Sequence, residues 1–159
     1  MKLTFYCFIV LITNTFINHQ DDEIVNYKKG LSLVLNSNDY KKYGLSDKNY
    51  QVSSEIIAFS NFDRFFKDEL NKNIPDEIVV SEVVKLRKEL LNLNIRKCGR
   101  VKVFFSEQRE NVFFAEIFID KKKDIEYKHR PIFGSSKVYM FKIRNEEISL
   151  VAVKDMHYN

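Results

Sequence analysis

The 159-residue chain is poor in the residues that make turns and cross-links: it has four Gly, two Pro and two Cys, and no Trp. So few Gly and Pro exclude collagen-like and low-complexity repeats. Two Cys exclude a disulfide-dense small scaffold. With Gly only at positions 30, 44, 99 and 134, neither a Gly-x-Gly-x-x-Gly nor a Walker-type phosphate cradle can be written. His-Glu-x-x-His, Cys-x-x-Cys and Gly-x-Ser-x-Gly are absent as well, which removes the enzymes built on local motifs. Zinc would draw on His129, His157, His19 and one or two thiols, and Asp21-Asp22-Glu23 lacks the central Gly of a calcium loop. No metal or cofactor is expected. No Asn-x-Ser/Thr sequon occurs.

What remains is a composition of 45% hydrophobic and 30% charged residues, that of one globular domain. A net charge of +4, with 22 acidic side chains mixed among 26 basic ones, does not announce a nucleic-acid partner.

The N-terminus reads as an address. Lys2 is followed by the apolar run Leu3–Ile12, then by polar residues from Asn18 to Glu23. A short basic start, an apolar stretch of roughly 7–15 residues and a polar boundary describe a secretory signal peptide. Thr13, Asn14 and Thr15 interrupt the run before it reaches the roughly 20 residues that span a bilayer. The alternative is a buried first strand or helix. Export, periplasmic or secreted, is the expectation for residues 1–20, with membrane contact only through this segment if it is retained. Cleavage there removes Cys7 and leaves Cys98, beside Lys97 and Arg100, as the last thiol. Cys98 reads as a small apolar residue at the start of a strand, or as a thiol whose pKa the neighbouring cations lower.

Residues 21–52 form a poorly defined segment. Ile24, Tyr27, Leu31 and Leu35 approach helical spacing, but Gly30 interrupts them and a strand is equally compatible. Residues 36–52 read as a polar loop carrying Tyr40, Tyr43 and Tyr50. The α+β domain is expected over 53–159. A first amphipathic helix runs from Ser53 to Lys72, with Ile56, Phe59, Phe62, Phe66 and Leu70 on one side. A second follows Pro75, with Val79, Val83, Leu86, Leu90 and Leu93 as its stripe; the β-branched Ile78–Val80 offers a short strand as its rival.

After Gly99 the period changes to two. Val101–Phe105 and Val112–Ile119 read as a hairpin around a polar turn, the second strand apolar on both faces and hence central. Pro131 spoils Ile125–Phe133 as a central strand. Val138–Arg144 and Ile148–Lys154 make a final hairpin around Asn145-Glu146-Glu147. The expectation is an α+β fold, with N-terminal amphipathic helices packed on a C-terminal antiparallel sheet of about four strands. That order is similar in layout to cystatin-like and NTF2-like folds, and no motif assigns the chain to either.

Three constellations carry what chemistry there is. Glu116 alternates with Phe114 and Phe118, so it points into an apolar layer; Tyr127, His129 and Arg130 come after it, and Tyr139 lies on the next strand. These five are the candidate ligand contacts. Glu116 and His129 would suit acid–base work only if the fold brought them together. The intervening residues do not fix one against the other, and the pair is expected not to be catalytic. The second constellation is basic: Arg96, Lys97, Arg100, Lys102, Lys121–Lys123 and Lys128–Arg130, near Phe104, Phe105 and Tyr127. Such groups suit an anionic glycan or membrane surface, and export argues against nucleic acid. The third, Gly134-Ser135-Ser136-Lys137, reads as an anion-holding loop or an ordinary turn.

Three functions fit. The first is an exported, non-enzymatic domain that binds a ligand or protein partner through its sheet or strand-edge loops. The second is a small enzyme or apolar-ligand carrier, with a pocket between the Phe-rich helix and the sheet. The third is an interaction module docking through its tyrosine loop. The mature chain is expected to begin between residues 18 and 22. Mass spectrometry of the protein recovered after cell fractionation checks this. Freely soluble cytoplasmic protein with Met1 intact would reject it.

Overall fold

The structure, a computed structural model, describes residues 22–42, 49–71, 82–95, 99–120, 126–129 and 134–158. The leader expected over residues 1–20 and Cys98 lie outside them. Residues 22–36 form helix α1, and Asn38–Lys42 form a short helix α2. Ser37 caps α2, its Oγ accepting from the Tyr40 N–H at 3.1 Å. The loop expected over 36–52 is therefore partly helix. Tyr40 and Tyr50 are buried in the core, so they are not an exposed tyrosine loop.

Six strands build one sheet: β1 (Tyr50–Ile57), β2 (Val83–Leu86), β3 (Val101–Ser106), β4 (Val112–Ile119), β5 (Gly134–Arg144) and β6 (Glu147–Tyr158). Their order is β2-β1-β3-β4-β5-β6. β1 and β3 run parallel and every other pair is antiparallel. The fold is mixed helix and sheet as expected, but with six strands instead of about four.

The two extra strands replace residues expected to be helical. Ser53–Lys72 is not one helix. Its first five residues belong to β1, where Val52, Ile56 and Ile57 favour extended backbone. Ala58, at φ −57° and ψ 135°, keeps the chain extended. The three-and-four spacing of the phenylalanines takes over only at Phe59. It is realised by 3₁₀ turns at Phe59–Asn61 and Asp63–Phe66 and by a one-turn helix α3 at Lys67–Leu70. A 3₁₀ turn places i and i+3 on one side, so the stripe survives without an α-helix. Asn71, left-handed at φ 53°, ends it. Of the second expected helix, the described part is β2 and a 3₁₀ segment Lys88–Leu93.

Both hairpins turn on two left-handed residues, Glu110 (φ 48°) and Asn111 (φ 61°) in one, Asn145 (φ 48°) and Glu146 (φ 65°) in the other. Positive φ at both central positions matches the twist of the flanking strands. Arg109 and Val112 close the first with reciprocal N–H···O bonds of 2.9 and 2.8 Å.

Each face of the sheet carries its own core. On one, Tyr27, Leu31 and Val34 of α1 pack with Tyr50, Val52, Val103, Phe105, Phe113, Tyr139 and Phe141. On the other, Phe59, Phe62, Phe66 and Tyr127 pack with Phe104, Phe114, Phe118, Val138, Met140 and Met156. Tyr27, Leu31, Val34 and Tyr40 thus share a core with the strands. Phe62 and Phe66 are both fully buried, with ring centroids 5.6 and 5.2 Å from Phe114. Phe66 also lies beneath Lys154, whose ammonium is 5.0 Å from its ring.

Phe66→Ala is expected to cost roughly 3–5 kcal/mol by urea denaturation, and a loss below about 1 kcal/mol would reject its core role. Gly30→Ala tests the opposite face. In an ordinary helix interior this change gains up to about 1 kcal/mol. Here the added Cβ would lie 2.9 Å from Cε2 and Cζ of Phe113. That ring is held between Tyr27 and Phe141, with centroids 5.4 and 4.8 Å away, and cannot give. The expected outcome is a net loss of about 1 kcal/mol or more; a raised urea midpoint would refute it.

Candidate functional site

The five candidate contacts do not form one site. Glu116 is fully buried on β4, cross-strand from Phe104 and Val138, on the same face as Phe114 and Phe118. Tyr127 joins that face: its ring lies 5.2 Å from Phe104, and its backbone N–H donates to Glu55 Oε2 at 2.7 Å. Tyr139 is buried in the other core, against the α1 side. The backbone of His129 closes the 3₁₀ turn Tyr127–His129. Its imidazole and the whole of Arg130 lie outside the described residues, and so does the separation of Glu116 from His129.

Of the basic constellation, Arg100, Lys102 and Lys128 are described. Arg100 is exposed, and Lys128 is exposed and paired with Glu126 at 2.8 Å. Lys102 instead is 2% exposed and sits inside the sheet. Arg96, Lys97 and Lys121–Lys123 lie outside the described residues. Gly134–Lys137 is not a loop but the start of β5. There Ser136 is buried and Lys137 pairs with Asp155 at 2.5 Å. Here the segment pairs antiparallel with β6, from Gly134 opposite Tyr158 to Lys137 opposite Asp155.

The most unusual local geometry lies in β1. Val52 pairs with Val103 and Ile56 with Phe105, so β1 spends four residue steps where β3 spends two. Ser53, Ser54 and Glu55 bulge from the ladder. Three ties hold the bulge. Asn94 acts as a piece of strand: its Oδ1 accepts from the Val52 N–H at 2.6 Å, and its Nδ2 donates to the Val52 carbonyl at 3.1 Å. Arg87 N donates to Ser54 O at 2.6 Å, and Ser53 Oγ accepts from Glu55 N at 3.1 Å. Bulges are common beside binding sites because they re-aim side chains. This one flanks a half-open cleft of about 140 Å³ lined by Gln51, Val52, Ser53, Ser54, Leu91, Lys102 and Phe104. Lys102 Nζ donates to Gln51 Oε1 across the β1–β3 pair.

Two broader grooves flank α1. One, of about 600 Å³, runs between the helix and the Lys88–Leu93 segment, with Ile24, Leu31, Leu35, Leu93 and Ile95 along it. The other, of about 620 Å³, lies between α1 and the two hairpin turns and is lined mainly by amides and charges, among them Asn26, Gln108, Asn111 and Asn145. Among the described residues no three His, Cys, Asp or Glu side chains gather as a metal would require, and no helix is long and apolar enough to cross a membrane.

Comparison of the chain with protein-family models, with curated proteins and with solved structures finds no match. Any function therefore rests on the geometry of the site alone.

Lys102 and the β2 edge were not among the candidate contacts expected from sequence. Lys102 was readable, since it alternates with Phe104 as Glu116 does with Phe114. The edge was not, because β2 reads as the middle of a helix.

Proposed function

We propose that this chain is an exported, non-catalytic α+β domain that binds a protein partner by pairing with the outer edge of β2. The observation that carries this reading is the apolar exposure of that edge. β2 ends the sheet among the described residues, yet Val83 is 38%, Val84 43% and Leu86 64% exposed. Leu91 and Ile95, in the segment that follows β2, are exposed as well. The outward N–H and C=O groups of a sheet edge template another strand; β2 carries one bulged residue, Val84, and one Lys, Lys85, which is drawn to Glu23, and its remaining side chains are apolar. An extended segment added there gains main-chain hydrogen bonds from the edge and side-chain burial from Val84 and Leu86. The occupant is accordingly an extended apolar segment of a partner protein.

The carrier or enzyme reading is the weaker one. Phe59, Phe62 and Phe66 lie directly on Phe114, with centroids 4.9–5.6 Å apart, and fill the space where its pocket was expected. Burial of Tyr40 and Tyr50 likewise weighs against docking through a tyrosine loop.

A photo-crosslinking amino acid at position 86, introduced in the producing cell, tests the proposal. A discrete cross-linked partner is expected, absent when the same group is placed at Lys29 on the far side of α1. Val84→Lys should cut the cross-link about tenfold while shifting stability by no more than about 0.5 kcal/mol. Equal yields from the two positions, indifference to Val84→Lys, or a product of two copies of this chain would overturn it.

A further inference from the structure

We propose that the groove between α1 and the Lys88–Leu93 segment docks an amphipathic α-helix of a partner protein. That helix is about three turns long, with acidic side chains on one flank of its apolar stripe and basic ones on the other. This does not depend on the β2 edge reading.

The groove follows α1 for most of its length. Ile24, Lys28, Ser32 and Asn36 line it in steps of four, which is three turns or roughly 18 Å of helix. Its volume is about 600 Å³. Its accessible apolar surface comes from Ile24, Leu35 and Leu93, each half-buried against the core, and from Ile95, which is 60% exposed. The wall facing α1 is held in place. Leu90 is fully buried, the Tyr50 hydroxyl donates to the Leu93 carbonyl at 2.9 Å, and the Asn94 amide is tied to the Val52 backbone at 2.6 and 3.1 Å. An occupant therefore meets a groove already formed and loses little free energy in shaping it.

The form of the occupant follows from the backbone of the walls. One is an α-helix and the other a 3₁₀ segment, so neither presents the row of outward N–H and C=O groups that a sheet edge offers. An extended segment laid there would leave its own amides unpaired over apolar side chains. A helix satisfies its backbone internally and can press an apolar stripe between Ile24 and Leu35 on one side and Leu93 and Ile95 on the other.

Charge sets the flanks. Lys28 on the α1 wall and Glu89 on the opposite wall are both exposed, and among the described residues neither takes part in an ion pair. A helix with one acidic and one basic flank meets both rims with the opposite sign. A helix whose flanks share a sign is attracted at one rim and repelled at the other.

Three designed helical peptides of about 16 residues are the probes, titrated against the full chain by fluorescence anisotropy. They share one leucine stripe, with flanks that are acidic and basic, acidic on both sides, or basic on both. The mixed peptide should bind tightest, by about threefold to fivefold, the range of an exposed ion pair. Lys28→Glu should transfer the preference to the basic peptide, and Glu89→Lys to the acidic one. Ile95→Asp should weaken all three about tenfold. All three positions are exposed, so the variants keep the fold. Absence of saturable binding, an order of affinities that the two reversals leave unmoved, or indifference to Ile95→Asp would overturn the proposal. So would a dimer of this chain that Ile95→Asp dissociates, or loss of peptide binding in Val84→Lys, which would place the peptide on β2.

Discussion

Phe113 and Phe114 stand back to back in the middle of β4, and the molecule is organised by the need to bury both. One large ring on each side of a strand commits both faces of the sheet to a core. Helix α1 covers Phe113, and the three phenylalanines after β1 cover Phe114. The two sides are joined at Ser106. Its carbonyl accepts from the Tyr27 hydroxyl of α1 at 2.9 Å, while its Oγ accepts from the Phe114 N–H at 2.9 Å. Burial pushes the Tyr27 hydroxyl well above the ordinary tyrosine range, and the nearby Glu23 carboxylate pushes the same way. The group therefore stays a hydrogen-bond donor across the physiological range. Glu23 in turn binds Lys85 and Arg87 at 2.8 and 2.9 Å, tying α1 to the far edge of the sheet.

That arrangement explains the bulge. β1 must lie parallel to β3 with Val52 and Ile56 directed into the α1 core, yet deliver Ile57 and Phe59 to the opposite core a few residues later. A regular strand alternates faces with a strict period of two, so it would put Ser54 on the same face as Val52 and Ile56. The bulge sets Ser53–Glu55 against the single β3 residue Phe104, and Asn94 takes the Val52 bonds on the edge that β2, pairing only from Glu55 onward, does not reach. The cleft at Lys102 is a by-product of the same geometry.

The C-terminal half of the fold is legible in the sequence, and the N-terminal half much less so. Alternation over 101–119 places both strands, and apolar residues on both faces of Val112–Ile119 correctly make it central. The second hairpin emerges around Asn145 in the same way, although β5 and β6 run longer at their far ends. Helix α1 is obscured by Gly30, whose missing side chain is a packing requirement of Phe113 and not a break in the helix. β1 is obscured because Ile56 falls in step with Phe59, Phe62 and Phe66, so strand and 3₁₀ segment together imitate one amphipathic helix. Periodicity reports which side chains are buried; here two different backbones bury them in succession. Of the candidate contacts, the burial of Glu116 follows from alternation. Tyr139 shows the limit of that method, because counting positions along one strand does not say which face a different strand presents.

The two ends of the sheet differ in a way that bears on function. β6 is the longer edge, at twelve residues, and it is protected. Its pairing slips at Met140/Phe141, which leaves Val151 as an extra residue, and Glu147, Asp155 and His157 place polar groups along its exposed side. Lys154 is drawn inward to the Phe65 carbonyl at 2.7 Å and to Glu69. β2 has four residues, three of them exposed and apolar; it carries a one-residue slip of its own at Val84, and its one lysine, Lys85, is drawn to Glu23. A chain that lines its long edge with charge, and leaves apolar side chains on its short one, distinguishes the two physically. Shortness limits indiscriminate pairing, since a four-residue template offers few main-chain bonds, and any stable complex there must draw on the side chains of Val84 and Leu86 as well. Selectivity at such an edge comes from the side chains of the arriving strand, which is how a small sheet recognises one partner without becoming a seed for aggregation.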